Sequence, residues 1–231
     1  MAQIVLDASR GLYVGNLGSL GPHRAVVAAL LVGLDRPFEV IRDGVTMVLE
    51  ATVIPPLTEH ELEIHGGRLA ALYFEPGCRV SDRFDIAALR RSIEDALAHD
   101  ELEAWNALLR HAHLEISNAP VERRIARVAT RLTGSGDEPV SAEALARIAD
   151  LSVSRLEHLF KAQLGVPLRA YRGWYRMRLA TRHLLGGGSL TDAAHAAGFH
   201  DSAHFARAFR HTFGLPPSIA FASGVSGRVI V

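Results

Sequence analysis

The chain has 231 residues, 48% of them apolar, with 25 basic and 25 acidic side chains and a formal net charge of zero. That is enough apolar chain for one large or two small folded domains, which excludes a disordered or collagen-like polymer. A single cysteine, Cys78, excludes internal disulfides and cysteine-built zinc sites, and it reads as a small apolar filler after a strand. The longest mostly apolar run, Ala25 to Leu34, is about half of the ~20 residues a membrane-spanning helix requires. No basic segment followed by an apolar stretch and a cleavage site opens the chain. The expectation is a soluble, unexported, cytoplasmic protein that does not bind membranes.

From Ile4 to Glu75 short apolar or alternating runs are broken by turn residues: IVLDA, GLYVGN, AVVAALLVGL, FEVI, VTMVLEATVI, ELEIH and RLAALYF. These read as β-strands. Asp43-Gly44 and Gly66-Gly67 read as tight hairpin turns, because both dipeptides tolerate positive φ. Pro55-Pro56 falls in a connection. The rhythm predicts a small antiparallel barrel or jelly-roll sandwich over residues 1–80.

After Pro76 the period becomes helical. Asp85 to His99 carries Ile86, Leu89, Ile93 and Leu97 on one face, and Glu101 to Ile116 carries Leu102, Trp105, Leu108 or Leu109 and Ala112. These two helices form a linker, 81–118. Their apolar faces pack either on a second copy of the chain or on their own barrel. From Val121 onward every segment to the C-terminus reads helical: Val121 to Leu132, Ser141 to Ala149, Ser152 to Leu164, Leu168 to Leu185, Leu190 to Ala197, Asp201 to Phe213 and a short piece after Pro216-Pro217.

Charge separates the halves. Residues 1–120 hold 10 basic against 17 acidic side chains, residues 121–231 hold 15 against 8, so the halves carry −7 and +7. A basic module is the electrostatic footprint of a polyanion partner. Of the 25 basic residues 24 are arginine, which suits bidentate contacts to phosphate and guanine, although GC-rich coding produces the same skew.

Within the basic half the chain repeats itself. Ser141 to Pro167 aligns with Leu190 to Pro216 at a gapless offset of 49, matching Leu156 with Phe205, Phe160 with Phe209, Lys161 with Arg210 and Gly165 with Gly214. Each copy is a short helix, a tight turn and a second helix, at about 141–164 and 190–213. Ser152 and Asp201 are predicted N-caps, and Gly198 and Asp150 the residues that end the helices before them. This is the helix-turn-helix pattern. Helical spacing buries Leu156, Leu159, Phe160 and Leu164 in one copy and Phe205, Ala208, Phe209 and Phe213 in the other. Ser154, Arg155, Glu157 and His158, then Ser202, His204 and Arg207, remain to face a major groove. The segment between the copies spans roughly 27 Å if helical, near the ~34 Å that separates successive major grooves. Its Arg172, Arg176 and Arg178 are either phosphate contacts or solvated.

The stretches ADLSVSRLEHLFKAQLGVPLRAYR, RLATRHLL and AAHAAGFHDSAHFARAFRHTFGLPPS resemble the DNA-binding domain of the AraC/XylS family of bacterial transcription regulators, over about Val121 to Ser218. The resemblance implies a DNA-binding domain over 119–231. It places base contacts at Ser154, Arg155, His158, Ser202, Ala203, His204 and Arg207, and phosphate contacts at Ser152, Lys161, Arg172, Arg176 and Arg210. Ala203 offers only a methyl group. The family usually closes with an aromatic residue and arginine after Pro-Ser, whereas here Ser218 leads into Ile219-Ala220-Phe221. The acidic half is similar in strand rhythm to cupin-like effector domains, which implies a small-molecule effector in a pocket lined by His23, His60, His65 and Tyr73. The family also implies homodimerisation, activator function and RNA polymerase as a further partner.

The principal alternative is a cupin-type metal-dependent enzyme or sensor with an accessory helical domain. A catalytic metal takes three or four convergent ligands, and the first half offers His23, His60, His65 and scattered glutamates without a His-x-His cluster. His111 and His113 are two apart on a helix and do not face each other. His200 and His204 have i, i+4 spacing but no third ligand nearby. No metal, cofactor or catalytic residue is therefore expected.

Overall fold

The alternating N-terminal runs fold as β1 (Gln3–Leu6), β2 (Gly11–Gly15), β3 (Ser19–His23), β4 (Ala28–Gly33), β5 (Phe38–Arg42), β6 (Val45–Leu49), β7 (Ala51–Ile54), β8 (His60–Glu63), β9 (Leu69–Phe74) and β10 (Cys78–Val80) in a computed structural model. They are followed by α1 (Ile86–Ala98), α2 (Leu102–His111), β11 (Leu114–Ile116), α3 (Arg123–Thr133), α4 (Ala142–Ala149), α5 (Val153–Leu164), α6 (Leu168–Leu185), α7 (Leu190–Ala196), α8 (Ser202–Phe213), α9 (Pro217–Ala220) and β12 (Ser226–Val229). The structure describes every residue except 1, 8–9, 76–77, 81–83, 100–101, 113, 117–120, 134–139, 222–224 and 231. The expected boundary at 118–120, His113 and the side chain of Cys78 lie outside that description.

Two bodies form. One comprises Met1–Ser117 with Arg210–Val231, the other Asn118–Phe209. This division differs from the expected 1–80, 81–118 and 119–231: the two linker helices and the last 22 residues group with the sheets.

In the first body the described strands pair as a larger sheet ordered β12-β1-β2-β9-β4-β7 and a smaller one ordered β3-β8-β5-β6, with β10 and β11 as a separate pair. Both faces of its inner strands β2, β9 and β4 are largely buried. Val5, Leu12, Val14, Leu30, Val32, Ala70, Leu72 and Phe74 pack against Leu89, Ile93, Ala96, Leu97, Trp105, Leu108, Leu109 and Ala112 of the two helices. The apolar faces of α1 and α2 thus serve their own sheet, the second of the two outcomes open to them. Trp105 Nε1 also donates to Asp7 Oδ2 at 2.8 Å. In the smaller sheet β5 and β8 alternate, with Phe38, Val40 and Leu62 buried and Glu39, Glu61 and Glu63 toward water, while β6 is exposed along most of its length.

Asp43 (φ 51°) and Gly44 (φ 74°) make the expected tight turn between paired β5 and β6. The second expected hairpin is different. The positive-φ residues are His65 (52°) and Gly66 (76°), and the flanking β8 and β9 belong to different sheets. The run VTMVLEATVI is likewise two strands in two sheets, switching at Glu50, whose carbonyl accepts the Gly33 N–H at 2.9 Å.

Three strands depart from the sequence reading. β3 contains Pro22, tolerated because β3 is an edge strand with a register shift between Leu20 and His23. The helix expected to run to Ile116 stops at His111, and Leu114–Ile116 returns as β11 against β10. The tail expected to be helical ends in β12, parallel to β1, with Arg228 donating to the carbonyls of Leu97 at 3.2 Å, His99 at 2.6 Å and Ala96. A cation at a helix C-terminus satisfies carbonyls that the helix leaves open.

Trp105→Ala removes a side chain only 1% exposed together with its bond to Asp7, so the full chain should lose about 3–5 kcal/mol of stability. Equilibrium urea unfolding checks this. Trp105→Phe should lose distinctly less.

Candidate DNA-binding surface

Each copy of the helix-turn-helix is built by the same local chemistry. Ser141 accepts from the Ala144 N–H at 3.1 Å and starts α4; Asp150 (φ 52°, ψ 51°) ends it in the left-handed region, and Leu151 N–H closes back on the Ala146 carbonyl at 3.0 Å. Ser152 then accepts from Arg155 N–H at 3.3 Å and starts α5. In the second copy Ser189 accepts from Asp192 N–H at 3.1 Å and starts α7. Gly198 (φ 71°) ends it, with Phe199 N–H on the Ala194 carbonyl at 2.8 Å. Asp201 accepts from His204 N–H at 2.6 Å and starts α8.

These pairings correct the repeat. The helix starts Ser141 and Ser189 and the left-handed residues Asp150 and Gly198 are 48 apart, whereas the caps Ser152 and Asp201 are 49 apart. The second turn is one residue longer. Burial agrees with the shift: Leu145, Ala146 and Ala149 are buried in α4, and Ala193, Ala194 and Ala197 at the corresponding positions in and after α7. The gapless alignment failed because it followed residue identity in the second helices and carried that register across the turn.

The recognition helices present the expected faces. In α5, Leu156 and Phe160 are fully buried while Ser154, Arg155, Glu157 and His158 are exposed. In α8, Phe205 and Phe209 are buried, Ala203, His204 and Arg207 are exposed and Ser202 is half-buried. The His204 ring meets Phe199 edge-on, with centroids 5.4 Å apart. Ser152, Lys161 and Arg210 are exposed beside these faces. Accepting the His204 N–H, and then contact with His200, holds the Asp201 carboxyl below its ordinary range, so α8 opens on a negative charge.

The intervening helix α6 is buried over most of its surface. Leu168, Tyr171, Trp174, Tyr175, Met177, Leu179 and Ala180 are buried around almost its whole circumference. Three of its five arginines turn inward, while Arg169 and Arg182 are exposed. Arg178 is 6% exposed, Arg172 Nε donates to the Val140 carbonyl at 3.0 Å, and Arg176 Nε donates to the Ala197 carbonyl at 2.9 Å. Arg176 also donates to the Gly198 carbonyl and lies over the Phe199 ring, 4.1 Å from its centroid. Arg172 and Arg176, expected as phosphate contacts, thus each commit donors to internal carbonyls. A sequence does not separate these roles, because carbonyl and phosphate oxygens both call for the same donor.

The pocket set is divided. His23 and His60 face each other across β3 and β8 with ring centroids 4.2 Å apart, each donating from Nδ1 to a backbone carbonyl, Gly21 at 2.8 Å and Thr58 at 3.0 Å. Tyr73 meets Phe213 edge-on at 5.6 Å, and the backbone of Gly214 (φ 79°) approaches so closely that a Cβ there would stand 2.8 Å from His23 Nδ1. His65 does not join them; it sits on an exposed turn with Nε2 3.0 Å from Glu39. The rival metal pair is occupied too, with His200 Nδ1 on the Asp201 carboxylate at 3.0 Å. Among the described residues no group of three or more His, Cys, Asp or Glu is placed to hold a metal ion. No described helix is long and apolar enough to cross a membrane.

Residues 145–222 match a helix-turn-helix domain family. The chain is 36% identical over 84 residues to the transcriptional activator NphR of Rhodococcus, covering 36% of this chain and 25% of NphR. It is 30% identical over 151 residues to the bifunctional transcriptional activator and DNA repair enzyme Ada of Escherichia coli K12, covering 64% of this chain and 41% of Ada. The chain thus spans less than half the length of these curated relatives. The fold is that of ToxT from Vibrio cholerae: an apo ToxT variant superposes with a TM-score of 0.62 at 10% identity, over 92% of this chain and 97% of ToxT. ToxT bound to an unsaturated fatty acid gives 0.58 at 10% identity, over 95% and 98%.

Burial lowers His23 to about 4, with the charge of His60 acting in the same direction, and burial lowers His60 as well. A histidine held neutral in the fold stabilises it fully above the unfolded-state value near ~6.5. That stability is lost as pH falls from there toward the folded value. Urea midpoints between pH 7 and pH 4.5 should therefore drop more steeply for the parent than for His23→Gln.

Proposed function

We infer that this chain, whose residues 145–222 are a helix-turn-helix domain, is a sequence-specific DNA-binding transcription regulator of the AraC/XylS type. The observation that carries the reading is the duplicated recognition helix. Two helices, each started by its own cap and ended by a left-handed residue, keep an aromatic or leucine stripe inside and a polar stripe outside. Ser154, Arg155 and His158 read bases from α5; Ser202, Ala203, His204 and Arg207 read them from α8. Ser152, Lys161 and Arg210 contact phosphates. Ala203 contributes a methyl contact, so discrimination by the second copy rests on His204 and Arg207.

The β-rich body is the regulatory part, and a small apolar effector acts there. Its ToxT-like fold supports this, and an unsaturated fatty acid is the first ligand to try, since ToxT has been crystallised with one. Activation of transcription follows the description of NphR and Ada as activators, and RNA polymerase is the further partner that the family resemblance implies. The protein acts in the cytoplasm as a homodimer. Because α1 and α2 bury their apolar faces on the sheet, the dimer forms through other surfaces. No residue is assigned a catalytic role.

Duplexes enriched from a random-sequence pool by the full chain supply the test. Arg207→Ala should weaken the enriched duplex by about 1–3 kcal/mol and relax preference at one base position. Arg210→Ala should weaken enriched and random duplexes alike and shallow the slope of log affinity against log salt by about 0.9. Parental behaviour in both variants would contradict the recognition assignment.

A further inference from the structure

The second copy is joined to α6 by Gly186, Gly187 and Gly188 before Ser189 caps α7, and Gly187 has φ 86°. The N–H groups of these three glycines donate to the α6 carbonyls of Arg182, Leu184 and His183, each at 3.0 Å, so the start of α7 is tied to the end of α6. The other end of α7 needs a hold of its own. At the far end of α7, Arg176 takes two carbonyls at once, Ala197 and Gly198, and stacks on the Phe199 ring that leads into the cap of α8. α7 is thereby held at both ends, by glycine linker at its start and by guanidinium at its close. One helical turn earlier on the same helix, Arg172 holds the Val140 carbonyl just before the cap of α4.

We propose that Arg172 and Arg176 are positioning residues that set the spacing and phase at which the two copies read DNA, Arg176 by fixing the second copy on α6 and Arg172 by fixing the first.

The proposal rests on the DNA-binding reading and deepens it. Two observations support it besides the hydrogen bonds. Like charges one turn apart on a helix repel, and burial together with Arg172 pushes Arg176 below the ordinary guanidinium range; the pair is held against that cost by oxygens belonging to two different copies. Carbonyls at a helix C-terminus are the groups a cation serves best, and the Phe199 face adds a cation–π contact that lysine reproduces poorly. Base contacts belong to α5 and α8, so these arginines act only through geometry.

The experiment uses the full chain and the duplex pool above. The separation of the two enriched sequence boxes is read by sequencing. Affinity is then measured on the best duplex and on the same duplex with one base pair added or removed between the boxes. The parent should lose at least about tenfold on the shifted duplexes, comparable to a mismatched base pair. Arg176→Ala should lose less than about threefold there, with a broadened distribution of separations. It should keep the same box sequences and an unchanged salt slope, whereas loss of a phosphate contact would shallow that slope by about 0.9. Arg172→Ala should change separation in the same sense. If the alanine variant loses helicity by circular dichroism, Arg176→Lys carries the test, because it keeps the charge without the two-carbonyl grip and should still tolerate shifted boxes better than the parent. Spacing selectivity equal to the parent's in folded Arg176→Ala or in Arg176→Lys overturns the proposal. A parent that enriches one box or none overturns the two-copy reading itself, a separate and recognisable failure.

Discussion

Each recognition helix takes its direction from a left-handed backbone residue followed, two or three positions later, by a capping oxygen. Asp150 and Ser152 do this in the first copy, Gly198 and Asp201 in the second. The turn is too short to adjust elsewhere, so the polar stripes of α5 and α8 point where these pairs send them. The extra residue in the second turn matters for the same reason. It gives room for Phe199 to enter the core against Phe205, with centroids 5.3 Å apart, and it leaves the Ala197 and Gly198 carbonyls available to Arg176.

Charge is divided between the halves by position as well as by number. The basic excess of residues 121–231 is not all on the surface: Arg172 and Arg176 of α6 donate to internal carbonyls, Arg178 is buried, and Arg228 closes the C-terminus of α1. The arginines and lysine that remain outside on the reading faces are Arg155, Lys161, Arg207 and Arg210. Fewer contacts imply a gentler salt dependence than the raw count suggests. In the other body burial lowers the pKa of both His23 and His60, and His23 lies against the backbone of Gly214, where only glycine fits both the positive φ and the close approach.

Sequence patterns carried most of the helices. Periodicity and caps placed α1, α4, α5, α6, α7 and α8 within a residue or two, because local hydrogen bonding and a single buried face determine them. They also identified the exposed stripes of the recognition helices. What they missed depends on distant partners. β3 shows no alternation because it is an edge strand containing Pro22, β11 is set by its pairing with β10, and β12 by its pairing with β1. His65 looked equivalent to His23 and His60 until the turn carried it outside. The inward arginines were illegible because a guanidinium suits a carbonyl and a phosphate equally.

We propose that one chain engages DNA through two recognition helices held at a fixed phase. Hydroxyl-radical footprinting of the full chain on its enriched duplex is the direct test. Two protected patches on one face of the helix, about one turn or ~10 base pairs apart, are expected. One patch alone, or two on opposite faces, would contradict it.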